Sequence, residues 1–106
     1  MARIILTPEA DADSASIIAD LAEKAGARFA DRYEADFDRV YDRLADYPLS
    51  GAPRPRLGEH VRICVVSPYT IFYEHAEGGD EVIILRIAHG RRKVSRKFLH
   101  GAGKAP

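Results

Sequence analysis

Apolar residues in the first half of the chain recur every three or four positions; in the second half they bunch into short runs broken by Pro and Gly. The first pattern belongs to helices with one buried stripe and the second to strands. A β-like run from Arg3 to Leu6, with Ile4-Ile5-Leu6 at its heart, is stopped by Thr7-Pro8-Glu9. Thr7 as N-cap, Pro8 at the first helical position and Glu9 in the first turn predict a helix that starts at Pro8. Proline there lacks only a donor that would go unpaired, and a carboxylate suits the positive end of the helix dipole. The stripe of this helix is Ala10, Ser14, Ile17, Ile18, Leu21 and Ala25, and Lys24 followed by Gly26 supplies the stop. From Ala27 to Asp46, Phe29, Tyr33, Phe37, Val40, Tyr41 and Leu44 share a stripe, with Asp31, Arg32, Glu34, Asp38, Arg39 and Asp42 off it. Two helices joined so closely predict an antiparallel hairpin.

Pro48 to Gly58 contains three prolines and two glycines in addition to apolar residues, which makes it a connector within one domain. Three β-rich runs follow, His60 to Val66, Tyr69 to Ala76 and Glu81 to Ala88, with separators short enough for an antiparallel meander. Alternation sets Ile71 and Tyr73 against Thr70, Phe72 and Glu74, and Ile83, Leu85 and Ile87 against Val82, Ile84 and Arg86. One sheet face is expected on the helical hairpin. The other, carrying Phe72, Val82 and Ile84 with no helix to cover it, is a candidate apolar partner surface. Val94 to Leu99 is expected to form a short helical turn, and residues 101–106 a flexible tail after a single domain of residues 1–100.

A length of 106 residues with 46% hydrophobic and 30% charged residues fits one small soluble globular domain. The lone cysteine, Cys64, rules out an internal disulfide framework, and its place between Ile63 and Val65 predicts a buried, inert thiol. His60, His75, His89 and His100 follow no metal-ligand spacing, so neither a metal nor another cofactor is expected. The N-terminus lacks the features of a secretory signal, and no apolar run approaches the roughly 20 residues of a membrane span; a cytoplasmic protein is the expectation.

The net charge of zero conceals an asymmetry. Residues 1–53 hold 6 Lys/Arg against 11 Asp/Glu, whereas residues 54–106 hold 10 against 5. From Arg86 onward there is no acidic residue, only Arg86, Arg91, Arg92, Lys93, Arg96, Lys97 and Lys104. Such a run is the footprint of a site for phosphate or for an acidic protein segment, or else a solvated basic tail.

Ordered stretches sharpen the picture. Tyr47-Pro48, Gly51, Arg54-Pro55, Leu57-Gly58 and Val61-Arg62 lead to Ser67-Pro68-Tyr69-Thr70-Ile71-Phe72-Tyr73 and then to Ile84-Leu85-Arg86-Ile87-Ala88-His89-Gly90-Arg91-Arg92. Together, over residues 3 to 99, they resemble the RelE/ParE superfamily of type II toxins, and the ParE branch most. The resemblance implies an α+β fold in which a helical hairpin lies on a small, largely antiparallel sheet with the first strand beside the last. It also implies a ParD-like antitoxin whose flexible segment wraps the toxin, and DNA gyrase as the target, inhibited by binding without catalysis. On that reading Arg62, Arg86, His89, Arg91, Arg92, Lys93, Arg96 and Lys97 bind target or antitoxin, and Phe72, Val82 and Ile84 form the apolar antitoxin face. Arg86 has a second reading, as the partner of a carboxylate such as Glu34 or Asp38.

The rival reading is a RelE-type ribosome-dependent mRNA endonuclease. Cleavage through a 2′-hydroxyl needs a base, an acid and cations around the phosphorane. By resemblance, the late proton-moving residue of RelE-type members falls on Phe98, and their strand-end arginine on Val66. Glu59, His89 and His100 are what remains for acid or base.

Overall fold

The computed structural model describes residues 1–100. Its elements are β1 (Arg3–Leu6), α1 (Pro8–Ala25), α2 (Ala27–Asp46), β2 (Ala52–Pro53), β3 (Val61–Val66), β4 (Tyr69–Ala76), β5 (Glu81–His89) and α3 (Arg96–His100), with a 3₁₀ turn at Glu77–Gly79. The sheet order is β1-β5-β4-β3-β2. β1 runs parallel to β5, and the other pairs are antiparallel. This is an α+β fold with the helical hairpin on a mixed sheet.

The helix start is built as the residues dictate. The Thr7 hydroxyl accepts from the Ala10 amide at 3.0 Å and donates to the Leu85 carbonyl at 2.8 Å, so a single side chain caps α1 and ties it to β5. Gly26, at φ 95°, ends α1 and precedes α2, a conformation open to glycine and strained for residues with a Cβ. Phe37, Val40 and Leu44 of α2 are buried and pack with Ala10, Cys64, Ile71, Tyr73, Val82, Ile84 and Ile87 in the core between hairpin and sheet.

Two expectations about the sheet need correction. The Pro/Gly connector contains β2, whose Pro53 is tolerated because the strand lies at the sheet edge, where a missing amide donor breaks no inner ladder. The facing of β5 also changes midway: Tyr73 pairs with Ile84 but Phe72 with Arg86, so Leu85 is an extra residue. That bulge switches the alternation, which puts Ile87 on the same face as Val82 and Ile84.

The second sheet face is not open. Val61, Phe72, Leu85 and Ala88 form a second core there, roofed by Leu57, Val94, Phe98 and the buried Leu99. Phe72 is therefore 6% exposed, while Val82 and Ile84, on the hairpin side, are fully buried. The uncovered apolar face expected from Phe72, Val82 and Ile84 is absent because the C-terminal segment folds back over the sheet and the helices cover the rest.

Candidate functional site

Beyond the end of β1, the edge of β5 is met by α1. Asp13 accepts from Arg86 Nε at 2.7 Å and Nη2 at 2.9 Å, and the same carboxylate accepts from the Ile87 amide at 3.0 Å. Thus one side chain satisfies an edge amide and holds a guanidinium through a two-pronged contact. Both side chains are below one-fifth exposed. The hydrogen bond that Arg86 donates to Asp13 raises the Arg86 pKa, and burial opposes that rise. The Arg86 guanidinium lies 3.9 Å from the centre of the Phe98 ring, and Arg92 lies 4.1 Å from the same centre. A chain of contacts therefore runs from α1 through β5 to the segment after it.

That segment starts with a turn. Gly90 N donates to Pro68 O at 2.7 Å, Arg92 N to His89 O at 2.9 Å, and Arg91 N to His89 Nδ1 at 3.1 Å. The His89 ring meets the Tyr69 ring edge-on at 5.9 Å, which secures the end of β5. Arg91, Arg92, Lys93, Arg96 and Lys97 are all exposed. Among the described residues none of them has a carboxylate within salt-bridge distance, although Arg3, Lys24, Arg39 and Arg86 each do. The five cations sit on the roof of the second core. The acidic hairpin, with 11 Asp/Glu against 5 Lys/Arg over residues 8–46, lies across the sheet.

Other residues singled out in the sequence have structural work. Arg62 Nη1 donates to Leu49 O at 3.0 Å and Gly51 O at 2.8 Å, so it clamps the connector. Arg86 pairs with Asp13, not with Glu34 or Asp38, because α1 rather than α2 flanks that part of β5. Asp13 escaped the sequence reading; the available signal was a carboxylate bordering the buried stripe, between Ala10 and Ile17. Cys64 is buried, 3.5 Å from Arg43 Nη2.

The residues that could move a proton do not assemble. His89 sits opposite Tyr69, whereas the imidazole of His100 lies beside Gly58, with Nε2 3.6 Å from where a Cβ would sit. Gly58 and Glu59 lead into Val61, which pairs with Glu74. At about 3.3 Å per residue, Tyr69 and Glu74 are roughly 17 Å apart along β4, which sets His89 well away from the other two. No group of three or more His, Cys, Asp or Glu side chains among the described residues could hold a metal ion.

Residues 4–94 match the family model described as the ParE toxin of the type II toxin-antitoxin system parDE. The chain belongs to the ParE toxin family. Among ParE relatives, Toxin ParE3 of Caulobacter vibrioides is 30% identical over 98 residues, covering 92% of this chain and 96% of that protein. A solved chain from the chromosomal ParDE TA system of P. aeruginosa superposes with a TM-score of 0.70 at 25% identity, covering 84% of this chain and 96% of that one. The ParE match runs from Ile4 in β1 to Val94, so the hairpin, nearly all of the sheet and the start of the basic segment fall within it.

Proposed function

We propose that this ParE-family toxin is a cytoplasmic protein that inhibits DNA gyrase by binding and is held inactive by a cognate ParD-like antitoxin. The observation that carries the reading is the set of five exposed cations, Arg91, Arg92, Lys93, Arg96 and Lys97, borne on a segment that Asp13, Arg86 and Phe98 fix to the domain. A binding inhibitor needs a fixed surface of defined charge, and this is such a surface. The separation of His89 from His100 and Glu59 supports binding over RNA cleavage, since a general acid and base must both reach one phosphodiester. The names of the similar proteins, ParE3 and a member of a ParDE system, support the antitoxin partnership.

An acidic antitoxin segment would meet Arg91 and Arg92 directly. Because all three are buried, Phe72 could join an antitoxin contact only if the C-terminal roof were displaced, and Val82 and Ile84 only if the helical hairpin were. In a supercoiling assay with purified gyrase, the toxin should inhibit the enzyme and leave cleaved DNA. Arg91→Glu with Arg92→Glu should weaken that inhibition by at least tenfold. Unaltered supercoiling at saturating toxin, or transcript cleavage at translating ribosomes, would overturn the reading.

A further inference from the structure

The connector and the C-terminal segment meet in an open cleft of about 470 Å³, lined by Arg54, Arg56, Leu57, Val94, Ser95 and Arg96. Three of its six lining residues are arginines, and none is acidic. The cleft is distinct from the exposed run at Arg91 to Lys93, and two of its cations come from a part of the chain some 40 residues earlier.

Both walls are fixed by backbone. Arg54 N donates to Val61 O at 2.8 Å, Leu57 N to Arg54 O at 2.9 Å and Gly58 N to Pro55 O at 3.2 Å, so the turn that carries Arg54 and Arg56 is closed by its own hydrogen bonds. Leu57 and Val94 anchor the two walls in the second core. Arg96 Nε donates to Arg56 O at 2.9 Å and joins one wall to the other. That bond uses one of the five N–H groups of Arg96 and leaves the four on Nη1 and Nη2 to other acceptors. Among the described residues the Arg54 side chain makes only a local hydrogen bond, from Nη1 to Pro53 O at 2.9 Å. No carboxylate lies within salt-bridge distance of Arg54, Arg56 or Arg96 among the described residues.

Three arginines lining one open groove with no acidic neighbour are matched to an anion that can accept paired hydrogen bonds and continue out at either end. A phosphodiester strand has that form. A free metabolite would gain little here, because the groove does not enclose it. The acidic hairpin on the far side of the sheet would repel a polyanion, and at physiological salt, with a Debye length of about 8 Å, the field at the cleft is set by the arginines nearest to it.

We propose that the Arg54–Arg56–Arg96 cleft binds the phosphate backbone of duplex DNA. The toxin bound to gyrase then holds enzyme and DNA together. The choice of duplex DNA and the role in poisoning rest on the gyrase reading, whereas the cationic cleft as a phosphodiester site does not.

The test uses the full-length toxin and a fluorescent 20-base-pair duplex, titrated by anisotropy from 50 to 200 mM salt, alongside toxin binding to immobilised gyrase without DNA. Duplex binding should weaken with salt, and Arg54→Gln with Arg56→Gln should reduce the log–log slope by about 1.8, close to 0.9 for each lost phosphate contact. Arg54→Lys with Arg56→Lys should keep the slope, which separates loss of charge from loss of fold. Gyrase binding without DNA should be the same for all three proteins, while the Gln variant should need at least tenfold more toxin to trap cleaved DNA. A Gln variant with wild-type duplex affinity and slope, or a wild type that binds no duplex at 50 mM salt, overturns the site. Arginine-dependent binding stronger to single-stranded RNA of equal length also overturns it, in favour of an RNA ligand. Duplex binding with the expected slopes but no gyrase binding leaves the cleft standing and removes the gyrase reading.

Discussion

Asp13 and Arg86, 73 residues apart in sequence, form a two-pronged ion pair that joins the second turn of α1 to the bulged stretch of β5. Neither is a surface pair of the kind that contributes little: both are mostly buried, and the carboxylate also serves the Ile87 amide. Asp13→Ala leaves a mostly buried guanidinium without its carboxylate, against the Phe98 ring and carbonyl alone, and the Ile87 amide without its acceptor. The expected loss is about 2–4 kcal/mol, read from urea denaturation at pH 7. Arg86→Met in the Asp13→Ala background should cost less than the sum of the two single changes, which measures the coupling.

Tyr73 is fully buried, yet its hydroxyl has work: it accepts from Gly51 N at 2.9 Å and donates to Pro48 O at 2.8 Å. Burial pushes its pKa up, and the bond from Gly51 pulls the other way. Tyr73→Phe should cost about 1–3 kcal/mol by leaving two connector groups unpaired, and amide exchange at Gly51 should speed up.

Gly51→Ala attacks the same junction from the other side. A Cβ at that position would lie 2.6 Å from the Tyr73 ring and hydroxyl and 2.7 Å from Ile63 O, which is backbone and cannot swing away. The expected outcome is a loss of about 2 kcal/mol or more in denaturation, from a clash that Gly26→Ala does not make. Gly26 has open space around it, and its cost comes instead from a backbone of φ 95° and ψ 159°, a region essentially reserved for glycine, at about 1–3 kcal/mol.

Tyr41 offers a pH signature. Its hydroxyl is buried with no hydrogen-bond partner among the described residues, and its pKa is raised to about 12, chiefly by burial and then by Asp38 and Asp11. The unfolded chain ionises this group near pH 10, before the folded chain does. The unfolded state therefore binds fewer protons between pH 10 and 12, and stability should fall as pH rises through that window. In Tyr41→Phe this part of the alkaline loss should be absent, with stability at pH 7 equal to or above wild type, because an unpaired buried hydroxyl is removed. Denaturation midpoints at pH 7, 10 and 11.5 check both statements.

The local punctuation was legible in the sequence. Thr7-Pro8 sets the start of α1, Gly26 divides the helices, and the three long strands fall within a residue of their expected limits. What could not be read was anything that depends on pairing across the sheet. The extra residue at Leu85 has no mark in an unbroken run from Val82 to Leu85, yet it turns Ile87 to the opposite face. Nor does the spacing of Val94, Phe98 and Leu99 reveal that these residues roof the second face, since so short an apolar stretch gives no direction of packing. The basic run was visible as charge. Its geometry was not, because Arg86 owes its place to Asp13 in α1, and the arginine cleft joins Arg96 to a turn far back in the chain.

The roof over β3, β4 and β5 brings a practical consequence for deletion mapping. Ending the chain after His89 would strip the five cations and, in the same cut, lay bare Phe72, Leu85 and Ala88. A shortened chain that no longer kills cells would then be as well explained by a sticky, opened sheet as by a missing contact. Charge swaps at full length are the means to tell those two apart.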